Sequence, residues 1–204
     1  MNWRRLVPWL LLTSLAGALA GGLLAHMLTQ SSLRLQAGTW LPQPRALAPL
    51  ALTDTDGHPT DARALLGHAT LLYFGFTACP DVCPTTLAVL REVRARAPVK
   101  GLRVWFITVD PDRDTPQVLR QYLSAFDPEF VGLRAAPAGL AALLQEFSAY
   151  AGRRPEPGDT YGMDHSATVY LLDGHARLAA IFSPPLQAAA LDADLRALAR
   201  AGTL

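Results

Sequence analysis

The stretch that most limits what this chain can fold into is Leu71–Val93, LLYFGFTACPDVCPTTLAVLREV, which holds its two cysteines, Cys79 and Cys83. LLYFGF is a continuous apolar and aromatic run of strand length, the pattern of a central strand covered on both faces. Pro84 suits the first helical position, where its missing N–H is not needed, and Leu87, Leu90 and Val93 follow at helical spacing. The reading is strand, turn, helix. Cys83 is expected at the helix N-cap and both thiols in the turn, because a residue before proline is biased away from helical dihedrals. There the helix dipole should lower the pKa of Cys83.

Two thiols so placed can form a structural disulfide, work as a redox couple or act as soft metal ligands, and spacing alone leaves all three open. A bridge across so short a loop would restrict the unfolded chain only weakly.

From Leu6 to Leu28 no side chain is formally charged, a run of 23 residues long enough to cross a bilayer as a helix. Arg4 and Arg5 precede it, so the positive-inside bias keeps the N-terminus cytoplasmic. Ala18-Leu19-Ala20 resembles a signal-peptide cleavage site, but the apolar run continues through Leu23, Leu24, Met27 and Leu28, which favours an anchor. Residues 1–28 therefore read as a membrane anchor and 29–46, rich in small, polar and proline residues, as a tether. Residues 47–204 form the domain. The lead is too short and too poor in Arg and Ser for a mitochondrial transit peptide, so the expected location is a bacterial inner membrane, with the domain facing the periplasm.

Formal net charge is +1, and beyond Arg4 and Arg5 the chain carries 16 basic against 17 acidic residues. A near-neutral domain without basic runs argues against nucleic-acid binding.

Within the domain TDTDG (Thr53–Gly57) signals a hairpin, and a short helical segment follows near Asp61–Leu66. Arg103–Val109 reads as a strand, Pro116–Phe126 as a helix, Val131–Leu133 as a short strand and Gly139–Tyr150 as a helix. Ala167–Leu172 and Arg177–Phe182, joined through Asp173-Gly174, read as an antiparallel hairpin. A last helix, Gln187–Arg200, carries Leu191, Leu195 and Leu198 on one face. The alternation predicts an α/β fold with a central mixed sheet flanked by helices.

Three ordered blocks, GFTACPDVCPTT (Gly75–Thr86), VDPDRDTP (Val109–Pro116) and MDHSATVYLLDG (Met163–Gly174), resemble the signature blocks of the Sco/SenC family, over roughly Ala46 to Arg200. The resemblance implies a membrane-anchored, thioredoxin-like copper protein that helps assemble the binuclear copper centre of cytochrome c oxidase. It also implies that His165, by pattern alone a hydrogen-bonding loop residue, joins Cys79 and Cys83 as a metal ligand. Two thiolates and an imidazole suit Cu(I), and imidazole also suits Cu(II); the set would accept zinc, although the affinity order favours copper.

Other residues have simpler readings. Asp110, Asp112 and Asp114 invite a hard-metal site, but Asp114 reads as a helix cap, Arg113 as the partner of a neighbour and Asp110 as a candidate support beside the metal. Asp164 either orients an imidazole or faces water. Met163 reads as a gap-filling core residue. His26, His58, His68 and His175 form no ligand motif, and Tyr73, Phe74, Phe76, Trp105 and Phe106 read as core.

The resemblance thus implies a metallochaperone that delivers copper to the copper-A subunit of the oxidase. A periplasmic thiol reductant would keep its cysteines reduced, and a second copper protein could load it. The rival reading is a thiol:disulfide oxidoreductase with Cys79 and Cys83 as redox pair, keeping the copper-A cysteines reduced. Against it, the spacing is C-x-x-x-C where thioredoxins have C-x-x-C, and His165 would have no task. A peroxidase would need a peroxide-activating arginine motif beside Cys79, and none is evident.

Overall fold

Strand β4, Thr70–Gly75, is buried at every position. It sits inside an eight-stranded sheet, and the remaining elements are arranged around it. The structure, a computed structural model, describes residues 33–157 and 160–204 together with Gly17, Gly21 and Gly22. The expected anchor at 1–28 lies outside the described residues but for those glycines. Among the described residues no helix is long and apolar enough to cross a membrane.

In chain order the strands are β1 Gly38–Ala46, β2 Leu52–Asp54, β3 Pro59–Thr60, β4, β5 Arg103–Thr108, β6 Val131–Arg134, β7 Ala151–Pro155, β8 Tyr161–His165, β9 Val169–Leu172 and β10 Arg177–Phe182. From residue 33 on, the described helices are α1 Val82–Ala95, α2 Pro116–Ser124, α3 Pro137–Glu146 and α4 Ala188–Arg200, with a 3-10 turn at Ala62–Leu65. The sheet order is β1-β10-β9-β4-β5-β6-β2-β3, and β7 pairs with β8 in a separate ribbon. β4, β5 and β6 run parallel, as the crossover pattern predicts, whereas β9 lies antiparallel to β4. This is the mixed sheet of a thioredoxin-like fold. The β2–β3 and β9–β10 hairpins fall where their turn residues place them.

Burial follows the apolar pattern. Tyr73, Phe74 and Phe106 are fully buried, Trp105 and Phe76 nearly so, and Leu191, Leu195 and Leu198 of α4 are fully buried. Gly132 of β6 permits a close approach, since a Cβ there would lie 2.8 Å from Leu119 Cγ and 2.9 Å from Leu123 Cδ1 of α2.

Three expectations are corrected. The second half of the tether is strand β1, paired antiparallel with β10. Its prolines, Pro42 and Pro44, hid it: proline is tolerated in edge strands, and the register is irregular between Trp40 and Arg45, where they lie. The entry to β1 is held by Asp194, 2% exposed on α4, whose carboxylate accepts the N–H groups of Gln36 and Ala37 at 2.7 Å each.

The helix expected over Gly139–Tyr150 ends at Glu146, and β7 begins at Ala151. Gly152 of β7 lies against the Tyr150 ring; a Cβ there would be 2.5 Å from the phenol oxygen.

The third correction concerns the cysteine turn. α1 starts at Val82, with Asp81 as N-cap, so Cys83 stands inside the first helical turn and only Cys79 is in the loop. Pro84 is tolerated there because the first N–H groups of a helix have no partner within it.

Candidate metal centre

Parallel strands carry their following loops to one edge of the sheet, and the loop after β4 carries Cys79 there, with Cys83 in the helical turn beyond it. Gly75 at the end of β4 makes room for the second thiol: a Cβ there would lie 2.8 Å from Phe106 Cε2 and 3.1 Å from Cys83 Sγ. Cys83 is fully buried, and Cys79 is 9% exposed. Both are free thiols.

His165 arrives from the other side. It ends β8 and is not in a loop, as the sequence reading had it; the β7–β8 ribbon, unforeseen, delivers it. Its Nε2 is 3.3 Å from Cys83 Sγ. Its Nδ1 is 3.0 Å from the Ser166 carbonyl, which only accepts, so Nδ1 carries the proton and Nε2 presents a lone pair. The Phe76 ring packs edge-on against the imidazole, centroids 5.6 Å apart. One ligand atom from each of Cys79, Cys83 and His165 lies within 4.8 Å of the others.

The electrostatics differ from expectation. Burial pushes the Cys83 thiol up to about 12, against the lowering expected at a helix N-terminus. The Cys83 N–H, free at the helix start, donates to Cys79 Sγ at 3.4 Å. Burial also lowers the His165 pKa, partly offset by its backbone hydrogen bonds, so the neutral imidazole is favoured. Neutral imidazole is the form that binds a metal ion.

Several supports were not legible as such. The Tyr73 hydroxyl, in the middle of the core strand, donates to Cys83 Sγ at 3.6 Å. A buried phenol requires a partner, and that was the available signal. Asp114 is fully buried and does not cap α2; Thr115 does, accepting from the Val118 N–H at 3.3 Å. Asp114 instead accepts the Thr77 N–H at 3.1 Å and the hydroxyls of Thr77 and Thr108, tying the start of the cysteine loop to the end of β5.

Asp110, 1% exposed, pairs with Arg113 and accepts the Tyr161 hydroxyl at 2.8 Å. It therefore supports the base of the β7–β8 ribbon and is not among the grouped ligand atoms. Asp112 pairs with Arg153, and the exposed Asp164 with Arg154 at 2.6 Å, so the carboxylate beside His165 does not orient its ring. Met163 is half-buried and is no core residue: it lines an open cleft of about 340 Å³ with Phe76, Cys79, Pro80, Asp81, Val82, Arg154, Asp164 and His165.

Asp54, Asp56 and His58 also cluster, but within the β2–β3 turn, where Asp54 accepts the N–H groups of Asp56 and His58 at 2.8 Å each. His68 lies 2.8 Å from an Arg103 nitrogen, and His175 sits in the β9–β10 turn. His26 lies outside the described residues.

The chain is similar to known proteins over most of its length. The family model described as SCO1/SenC matches residues 41–200. The SCO2-like protein RP587 of Rickettsia prowazekii (strain Madrid E) is 37% identical over 134 residues, 63% of this chain, and the chain spans 65% of that relative's length. The copper-bound structure of Bradyrhizobium japonicum ScoI is similar with a TM-score of 0.66 and 40% identity, covering 74% of this chain and 98% of that one. Copper-bound yeast Sco1 matches with a TM-score of 0.67 and 31% identity, covering 74% of this chain and 87% of that one. The matched span runs through the core strand, the cysteine turn and the histidine ribbon alike, and the chain belongs to the SCO1/SenC family.

Proposed function

We propose that this protein is a copper metallochaperone that holds copper on Cys79, Cys83 and His165 and passes it to the copper-A centre of cytochrome c oxidase during assembly. The observation that carries this reading is the meeting of two free thiols and one imidazole nitrogen within 4.8 Å, from a loop, a helical turn and a separate ribbon. Two thiolates and a neutral imidazole form a soft set suited to Cu(I). Copper bound in two of the similar structures supports the same cargo here.

Transfer then proceeds by ligand exchange between docked sites. Cys79 lines the cleft whereas Cys83 is sealed beneath it, so an incoming thiolate from the copper-A subunit displaces Cys79 first. Each new sulfur–copper bond replaces an old one, and no electron changes hands. The anchor at 1–28 holds the domain at the periplasmic face of the membrane, where copper-A assembles. A periplasmic thiol reductant keeps the pair reduced, and another copper protein supplies the metal.

The second reading, a thiol:disulfide oxidoreductase, is favoured by one feature: the Cys83 N–H holds Cys79 Sγ at the open cleft, where a partner disulfide can reach that sulfur. The deciding assay mixes the reduced, Cu(I)-loaded chain with a reduced, metal-free copper-A domain and follows copper. Metal transfer without change in thiol count supports the chaperone. Failure to transfer, together with rapid reduction of an oxidised copper-A domain by the metal-free chain, replaces it with the oxidoreductase.

A further inference from the structure

Two of the three grouped donor residues, Cys79 and His165, line the open cleft, and one more soft atom borders it. β8 alternates its side chains, so Tyr161, Met163 and His165 share one face while Gly162 and Asp164 take the other. Both outer members of this row are fixed over the cysteine loop. Tyr161 stacks its ring 4.0 Å from the Arg113 guanidinium, which in turn lies 5.9 Å from the Phe76 ring centre. His165 packs on Phe76 and reaches Cys83. Met163 stands between them and lines the cleft with Cys79.

We propose that Met163 is a fourth, thioether ligand for Cu(I), closing the Cys79–Cys83–His165 group on its cleft side. The inference rests on the reading of those three residues as the copper site. A thioether is uncharged and has no proton to lose, so it binds without pH cost and departs without leaving a buried charge. It is soft, and so favours Cu(I) over Cu(II). Seated at the mouth, it is the protein atom an arriving or leaving ion meets together with Cys79.

The test is X-ray absorption on the full chain grown with selenomethionine and loaded with one equivalent of Cu(I). Met163 is one of only three methionines, with Met1 and Met27 both in the N-terminal lead, so the selenium edge reports this position against two others. The expected result is a copper neighbour at bonding distance from selenium, lost in Met163→Leu. That variant keeps its size and should lower the Cu(I) affinity about tenfold while leaving the Cu(II) affinity unchanged. No selenium–copper neighbour, with the copper edge still showing two sulfurs and one imidazole, overturns the role of Met163 and leaves the three-residue site intact. A copper edge lacking those three donors overturns the site itself.

Discussion

Cys83 Sγ and His165 Nε2 lie 3.3 Å apart although the residues are separated by 82 positions in sequence. The contact joins the first turn of α1 to the end of β8. A sulfur sealed from water thus faces a neutral imidazole whose lone pair is turned toward it.

Copper binding should therefore depend on pH. With the buried Cys83 thiol raised to about 12, it is protonated throughout the neutral range, and binding must release that proton. The apparent Cu(I) affinity should rise by at least about tenfold per pH unit between pH 6.5 and 8.5. Competition titrations at fixed chelator check this; an affinity independent of pH would show that Cys83 is not a thiolate ligand. Without metal the sign is opposite: the fold retains a proton that the unfolded chain loses above about 9, so stability falls as pH rises from there toward 12.

Gly75→Ala places a methyl group 3.1 Å from Cys83 Sγ and 2.8 Å from the Phe106 ring. Overpacking of this kind should cost about 1–3 kcal/mol and displace the sulfur. Denaturant unfolding and Cu(I) titration should both worsen. Wild-type values in both would mean that the close approach is not needed.

Asp114 and Thr115 make a discriminating pair. Asp114→Ala removes a buried acceptor of three hydrogen bonds and should cost about 2–3 kcal/mol, with faster alkylation of Cys79 as its loop loosens. Thr115→Ala removes only the cap and should cost about 1 kcal/mol, with alkylation unchanged. The reverse order would restore Asp114 as a simple helix cap.

Asp194→Ala releases the N–H groups of Gln36 and Ala37. Amide exchange along β1 should accelerate, with a stability loss of about 1–3 kcal/mol and no change in copper affinity. An unchanged exchange rate in β1 would show that the strand is held by its pairing with β10 alone.

What the sequence disclosed follows from periodicity and local chemistry. The run at 71–76, the Asp173-Gly174 turn and the leucines of α4 each signal their element with neighbours close in sequence, and those elements are found. β1 was concealed by its prolines, because local propensity cannot report that an edge strand with an irregular register tolerates them. The β7–β8 ribbon has no apolar run to announce it; it is made by pairing and by the packing of Tyr161 on Arg113 and His165 on Phe76, contacts distant in sequence. The thiol environment of Cys83 depends on what covers it: Tyr73 from the core strand and His165 from the ribbon. Helix position was visible and favours a thiolate; burial was not visible, and it wins.

The measurement that tests the account most directly is Cu(I) stoichiometry and affinity on the full reduced chain, set beside Cys79→Ser, Cys83→Ser and His165→Ala, each with copper-edge absorption. The account predicts one equivalent in the wild type, bound by the two cysteine sulfurs and the imidazole of these three residues, with one sulfur neighbour lost in each cysteine variant, the imidazole lost in His165→Ala, and the affinity reduced in all three. Retention of wild-type affinity in His165→Ala, or a copper ion with as many sulfur neighbours in Cys83→Ser as in the wild type, would contradict it.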